Sequence, residues 1–158
     1  MEPPFDVAAF LTSHRTSVLD RASAEVASRG LPHYDAAGRD EIDSRLAALL
    51  DTVVRAAGER HLEPALLYAD DLAGARRGSG HSLNEVQRAI NALEEQLWHV
   101  VLVDAPAEVQ GYALGVVSTI LGAIKDRLGC AYVSSGTSTP THTLRLDELF
   151  RGTAAGPV

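Results

Sequence analysis

The chain is poor in the residues that mark several protein classes. Its 158 residues include one cysteine, Cys130. A single sulfur can form no intramolecular disulfide and cannot build a thiolate zinc site, which suits a reducing cytoplasm. Aromatics make up only 5%, which counts against a β-sandwich or barrel and offers a flat tetrapyrrole little to pack on. Lysine is almost missing: Lys125 stands alone among fourteen basic residues, an arginine bias that a GC-rich genome would produce. Positive charge is short overall, with 14 basic against 21 acidic residues and a net charge of −7. Such a balance argues against broad binding to nucleic acid or to an anionic membrane.

Long apolar runs are also scarce. The longest, Tyr112 to Ile124, is broken by Gly115, Ser118, Thr119 and Gly122. It is short of the ~20 residues needed to cross a bilayer and reads as a buried helix. The start, MEPPFDVAAFL, has neither the basic residues nor the apolar stretch of a signal peptide. The expectation is a cytoplasmic protein with no membrane and no nucleic-acid partner.

What is present is typical of one globular domain: 46% hydrophobic and 22% charged residues, rich in Ala and Leu. The spacing predicts an all-α domain of about five helices over residues 5–129, a helical bundle or a globin-like arrangement. A linker-like, flexible tail over 130–158 follows. The first helix is expected from Phe5 to Ser28 and stopped by Gly30 and Pro32. The second runs from Arg39 to Ala57 on the stripe Ile42, Leu46, Leu49 and Val53, with Gly58 as its terminal glycine. The third starts at Glu63–Pro64 and ends at Gly78 and Gly80.

The fourth helix is the clearest. Ser82 stands three residues before Glu85, a capping box, and Val86, Ile90, Leu93, Leu97 and Val100 form a narrow apolar seam. Gln87, Arg88, Asn91, Glu94, Glu95 and His99 fall on its polar back. The fifth, from Asp104 to Leu128 and capped by Gly129, is apolar nearly all round, as expected of a central element or a subunit interface. Tyr112, Val116, Ile120, Ala123 and Ile124 cover one broad side. Gly111, Gly115, Ser118 and Gly122 make a stripe of small residues. Two readings of that stripe stay open: tight packing within one chain, or a helix pair between two. In the tail, Leu146, Leu149 and Phe150 fit one amphipathic turn.

Catalytic groups are hard to find. None of the six histidines (His14, His33, His61, His81, His99, His142) stands in HExxH or in the Glu-x-x-His pattern of di-iron bundles, so no metal site is expected. Glu95 and His99 are four apart and read as an exposed pair. His14 and His99, the helical candidates for haem ligation, read as surface or half-buried histidines. Cys130 reads as a small buried apolar residue. Arg76 and Arg77 precede a Gly-Ser-Gly turn and a helix N-terminus, so they are candidate anion contacts; the simpler reading is a helix stop and a turn. Leu93, Leu97, Trp98, Tyr112 and Val116 are the candidate lining of a small-molecule or haem pocket.

The stretch ARRGSGHSLNEVQRAINALEEQLWHVV resembles the central signature of the RsbT co-antagonist RsbRD N-terminal domain family. The likeness rests on Arg76, Arg77, Gly80, Ser82, Leu83, Glu85, Val86, Leu93 and Glu94, with FLTSHRTSVLDR, Phe10 to Arg21, similar to the family's start. It spans about residues 5–128 and lies mainly in helix spacing. The resemblance implies an all-helical sensor or regulatory domain, globin-like or bundled without haem and often dimeric. It would act in a stress-signalling complex upstream of an output module such as a STAS domain, a kinase or a transcription regulator. It supplies no catalytic residues. No output domain follows Gly129 here, so the chain reads either as a piece of a longer regulator or as a stand-alone one, with the tail after Thr143 slightly favouring the second. The expected function is therefore a non-enzymatic signalling domain that works through protein contacts, including a homodimer, and that needs no cofactor; a small-molecule or haem-binding domain is the alternative.

Overall fold

The computed structural model describes residues 4–136. Among them every regular element is a helix: α1 (Val7–Ser13), α2 (Arg15–Ser28), α3 (Pro32–Ala37), α4 (Arg39–Glu59), α5 (Glu63–Gly78), α6 (Leu83–Asp104) and α7 (Ala107–Gly136). The all-α expectation holds, with seven helices where five were expected.

The first expected helix is cut at His14. Its N–H bonds back to Leu11 O, three residues away, so the ladder tightens there. Side chains hold the carbonyls around the break: Thr12 donates to Ala8 O at 2.8 Å and Ser13 to Phe10 O at 2.7 Å, while His14 Nδ1 lies 2.9 Å from Phe10 O. Such back-bonding competes with the helical ladder and bends it. After α2, Gly30 takes φ 62°, and Pro32 opens a new short helix at its N1 position rather than only ending the old one.

α4 is the hub and packs against all six other helices. Its buried face, Ile42, Leu46, Leu49, Leu50, Val53 and Ala56, extends the expected stripe. Gly58 does not end it. The helix continues to Glu59, and Arg60 takes the left-handed turn at φ 53°. α6 starts as expected: Ser82 Oγ accepts from Glu85 N and Glu85 reaches back to Ser82 N, both at 3.2 Å. All five seam residues, Val86 to Val100, are buried.

α7 departs furthest from expectation. It packs on α5, α6 and α4 along Ala113, Val117, Ile120, Leu121, Ile124 and Leu128. That leaves Tyr112 exposed and places the helix at the edge of the bundle instead of its centre. It runs through Gly129 to Gly136, so the tail begins later than residue 130. Cys130 is exposed, not buried. The amphipathic turn at Leu146, Leu149 and Phe150 lies outside the described residues.

Glu94 also moves from the expected polar back into the core edge. It is buried and accepts from Lys125 Nζ of α7 at 2.6 Å, with Asn91 Oδ1 taking a second bond at 3.2 Å. Glu95 pairs with Arg29, the C-cap of α2, at 2.9 Å rather than with His99.

Candidate functional site

The turn between α5 and α6 gathers a polar cluster of Arg45, Arg76, His33, His81, Tyr34 and Glu85. Arg76 and Arg77 leave α5 in different directions. Arg77 donates to Ala73 O at 3.3 Å and its guanidinium sits 5.9 Å from the Tyr132 ring of α7. Arg76 turns inward, where it acts on the Tyr34 hydroxyl through charge and a hydrogen bond, and its buried Nε has no partner. The nearby enclosed space holds only about 20 Å³ between Tyr34, Arg45, Tyr68 and Arg76, room for a single water. The N-terminus of α6 is closed to an outside anion by its own chain. Glu85 accepts from Ser82 N and from His33 N, and its Oε2 lies 2.8 Å from His33 Nδ1. Ser82 to Glu85 thus form a helix start, and the two arginines do not converge on a common anion.

His81 lies at the centre of this cluster and is buried. Its Nε2 faces Arg45 Nη1 at 3.4 Å and its Nδ1 meets Ser79 Oγ at 2.8 Å. A guanidinium can only donate, so the neutral ring accepts at Nε2 and carries its proton on Nδ1. Burial lowers the His81 pKa, and the charges of Arg76, Arg45 and His33 lower it further against Glu85. Burial also raises Tyr34 and drives Tyr68 up to about 12, so both phenols stay neutral. For Glu85, burial is outweighed by the His33 and Ser82 hydrogen bonds and the carboxyl is held below its usual range. Because His81 is harder to protonate when folded, stability is full above the unfolded value of about 6.5 and falls as pH drops below it. Urea midpoints are therefore expected to fall between pH 7.5 and pH 5.5, with a smaller fall in His81→Gln. An equal fall in both proteins would remove His81 as the cause.

The candidate pocket residues separate in the structure. Leu93 and Leu97 are wholly buried in the core of α6. Trp98, the next residue, is 40% exposed and donates from Nε1 to Ser118 Oγ of α7 at 3.2 Å. Tyr112 and Val116 lie on another flank of α7. They line a cleft of about 480 Å³ with Ala56, Ala57, Leu62 and Ile120. His14 has protein partners at both ring nitrogens, the second being Asp104 at 3.4 Å from Nε2. His99 is exposed and makes no such contact.

The glycine stripe forms the outward ridge of α7. A Cβ added at Gly111, Gly115 or Gly122 would meet no atom within 4 Å. Among the described residues, tight packing within one chain does not account for the glycines of the stripe. Trp98, Leu102 and Val103 stand exposed on the neighbouring α6, and Tyr112 is 51% exposed on α7 itself. By length and composition α7 is the one helix among the described residues that is long and apolar enough to cross a membrane. It is therefore longer than the interrupted run suggested. The missing signal at sequence level is direction: a helix apolar on all sides does not reveal which side its neighbours cover. Compared with family models, curated proteins and solved structures, the chain matches none of them.

Proposed function

We propose that this chain is a non-enzymatic, cytoplasmic regulatory domain of the sensor type whose output is protein contact, and whose first partner is a second copy of itself. The outer face of α7 carries this reading. From Val109 to Ile124 the helix has no charged residue, a stretch of ~24 Å at 1.5 Å per residue. The chain as a whole is 22% charged. A net charge of −7 opposes self-association, and an uncharged face is where that repulsion costs least. Glycines on the ridge allow close backbone approach, and the same patch on two copies satisfies two-fold symmetry. Exposed Trp98, Leu102, Val103 and Tyr112 border the ridge as apolar contact area. The resemblance of residues 73–101 to stress-regulator sensor domains points the same way, with small shifts of α6 against α7 as the means of signalling.

Sedimentation of the parent and of Gly115→Leu tests the reading. The parent is expected to be a dimer. Gly115→Leu is expected to be a folded monomer whose melting temperature, unlike the parent's, does not depend on protein concentration, since an added side chain at this open helical glycine meets no atom of its own described chain. A parent that stays monomeric at its highest soluble concentration overturns the proposal. A parent that is monomeric and floats with lipid vesicles assigns the α7 face to a membrane instead.

A further inference from the structure

We infer that the trough beside Tyr112 is a binding site for an amphipathic monocarboxylate, its anionic head at Arg60 and its apolar body along Leu62, Tyr112 and Val116. The first cleft, about 480 Å³, lies between the end of α4, the start of α5 and α7. It adjoins a second of about 660 Å³ that reaches the start of α1. The two share Ala57, Arg60, Tyr112 and Val116. Each volume falls within the ~300–1,000 Å³ of small-molecule sites.

Charge selects the ligand. Arg60 and His61 line the first cleft and no Asp or Glu does, although acidic residues outnumber basic ones in the chain by 21 to 14. His61 Nδ1 is occupied by the Glu63 N–H at 3.1 Å, which leaves Arg60 as the full positive charge. The Arg60 side chain makes no ion pair or hydrogen bond among the described residues, whereas Arg15, Arg29, Arg39, Arg45, Arg55 and Arg127 are each held by a carboxylate; the side chains of Arg21 and Arg88 also have no such partner among the described residues but line neither cleft. In the second cleft the one acid, Asp6, is engaged in capping α1 through Ala9 N at 2.9 Å. One free cation beside an apolar wall fits one anionic head on an apolar body.

The backbone sets where that cation stands. Arg60 is the one non-glycine residue with positive φ among those described, at 53°. It is the C-cap of α4, a common left-handed helix end, with the His61 N–H bonding back to Ala56 O at 3.2 Å. Gly58, two residues earlier, would have made the left-handed turn freely, yet the turn falls on Arg60 and sets its side chain on both clefts. The trough borders the glycine ridge through Gly111 and Gly115. A bound ligand would thus lie next to the proposed contact face; that consequence rests on the regulatory reading, while the binding does not.

Calorimetry on the whole chain with decanoate and with decanol tests the site. Decanoate is expected to bind about tenfold more tightly than decanol, the worth of one charge-assisted contact. Arg60→Gln is expected to bring decanoate down to the decanol level and leave decanol unchanged. Leu62→Ser, at an already exposed position, weakens both. No heat with decanoate, or equal decanoate affinity in the parent and Arg60→Gln, overturns the inference. Binding by a monomeric Gly122→Leu variant, altered on the ridge but outside both clefts, and not by a dimeric parent assigns the trough to the second copy and also overturns it. A monomeric parent that binds decanoate in the expected way upholds the site and removes only the self-association reading.

Discussion

Replacing Lys125 with methionine is expected to lower the unfolding free energy by about 3 kcal/mol, the low end of the range for breaking a buried ion pair. The substitution keeps the length and packing of the stem. It removes the ammonium that sits 2.6 Å from Glu94 Oε2. Glu94 is left as a carboxylate whose side chain is only 9% exposed, with no other cation in ion-pair contact among the described residues. Lys125 itself is 26% exposed, so some water can enter, which places the cost at the lower end. The loss arises from the orphaned charge more than from the worth of the pair. Glu94→Leu combined with Lys125→Met should therefore recover most of it. Urea unfolding of the two single variants and the double variant measures this. A single Lys125→Met variant as stable as its parent would show that the α6–α7 contact does not depend on the pair.

The second large effect separates two adjacent residues. Leu97→Ala is expected to cost about 3–4 kcal/mol, because the side chain is fully buried and its loss leaves a cavity in the α6 seam. Trp98→Ala is expected to cost less than about 1 kcal/mol. It removes one hydrogen bond to Ser118 and a ring that is 40% exposed. Thermal melting with matched calorimetry distinguishes them. Similar losses would mean that Trp98 is part of the core and that α6 and α7 pack more deeply than described.

That contrast also shows what could be read from the sequence. The seam of α6 and its capping box were legible because they depend on residues within one turn or one face of a single helix. Ser82 and Glu85 need only each other, and Val86 to Val100 need only an apolar neighbour. The break at His14 was signalled by Thr12, Ser13 and His14, three successive side chains able to hold backbone carbonyls, yet a stripe count passes over such a signal. α3 was too short for any periodicity to show. Gly58 and Gly129 misled for a shared reason: glycine permits a left-handed stop but does not require one, and beyond Gly129 the Tyr132 hydroxyl also ties α7 to His81 O. Glu94 was placed in solvent because its partner, Lys125, is 31 residues away on another helix. Of the five candidate lining residues, Tyr112 and Val116 share a cleft. Leu93, Leu97 and Trp98 were not part of it, since one helix cannot turn all these residues toward the same space. Arg60 carried no sequence signal, as its place in the trough follows from its backbone angle.

The chain's one lysine and one cysteine stand five positions apart on α7, and they differ in access. The Lys125 ammonium is clamped by Glu94 and Asn91, whereas the Cys130 thiol is open. The described chain therefore carries a built-in pair of chemical reporters. Maleimide should label Cys130 at once and mark every molecule. Acylation of the Lys125 side chain should wait for α6 and α7 to part, so its rate, counted per labelled thiol, clocks the opening of that contact without any engineered probe.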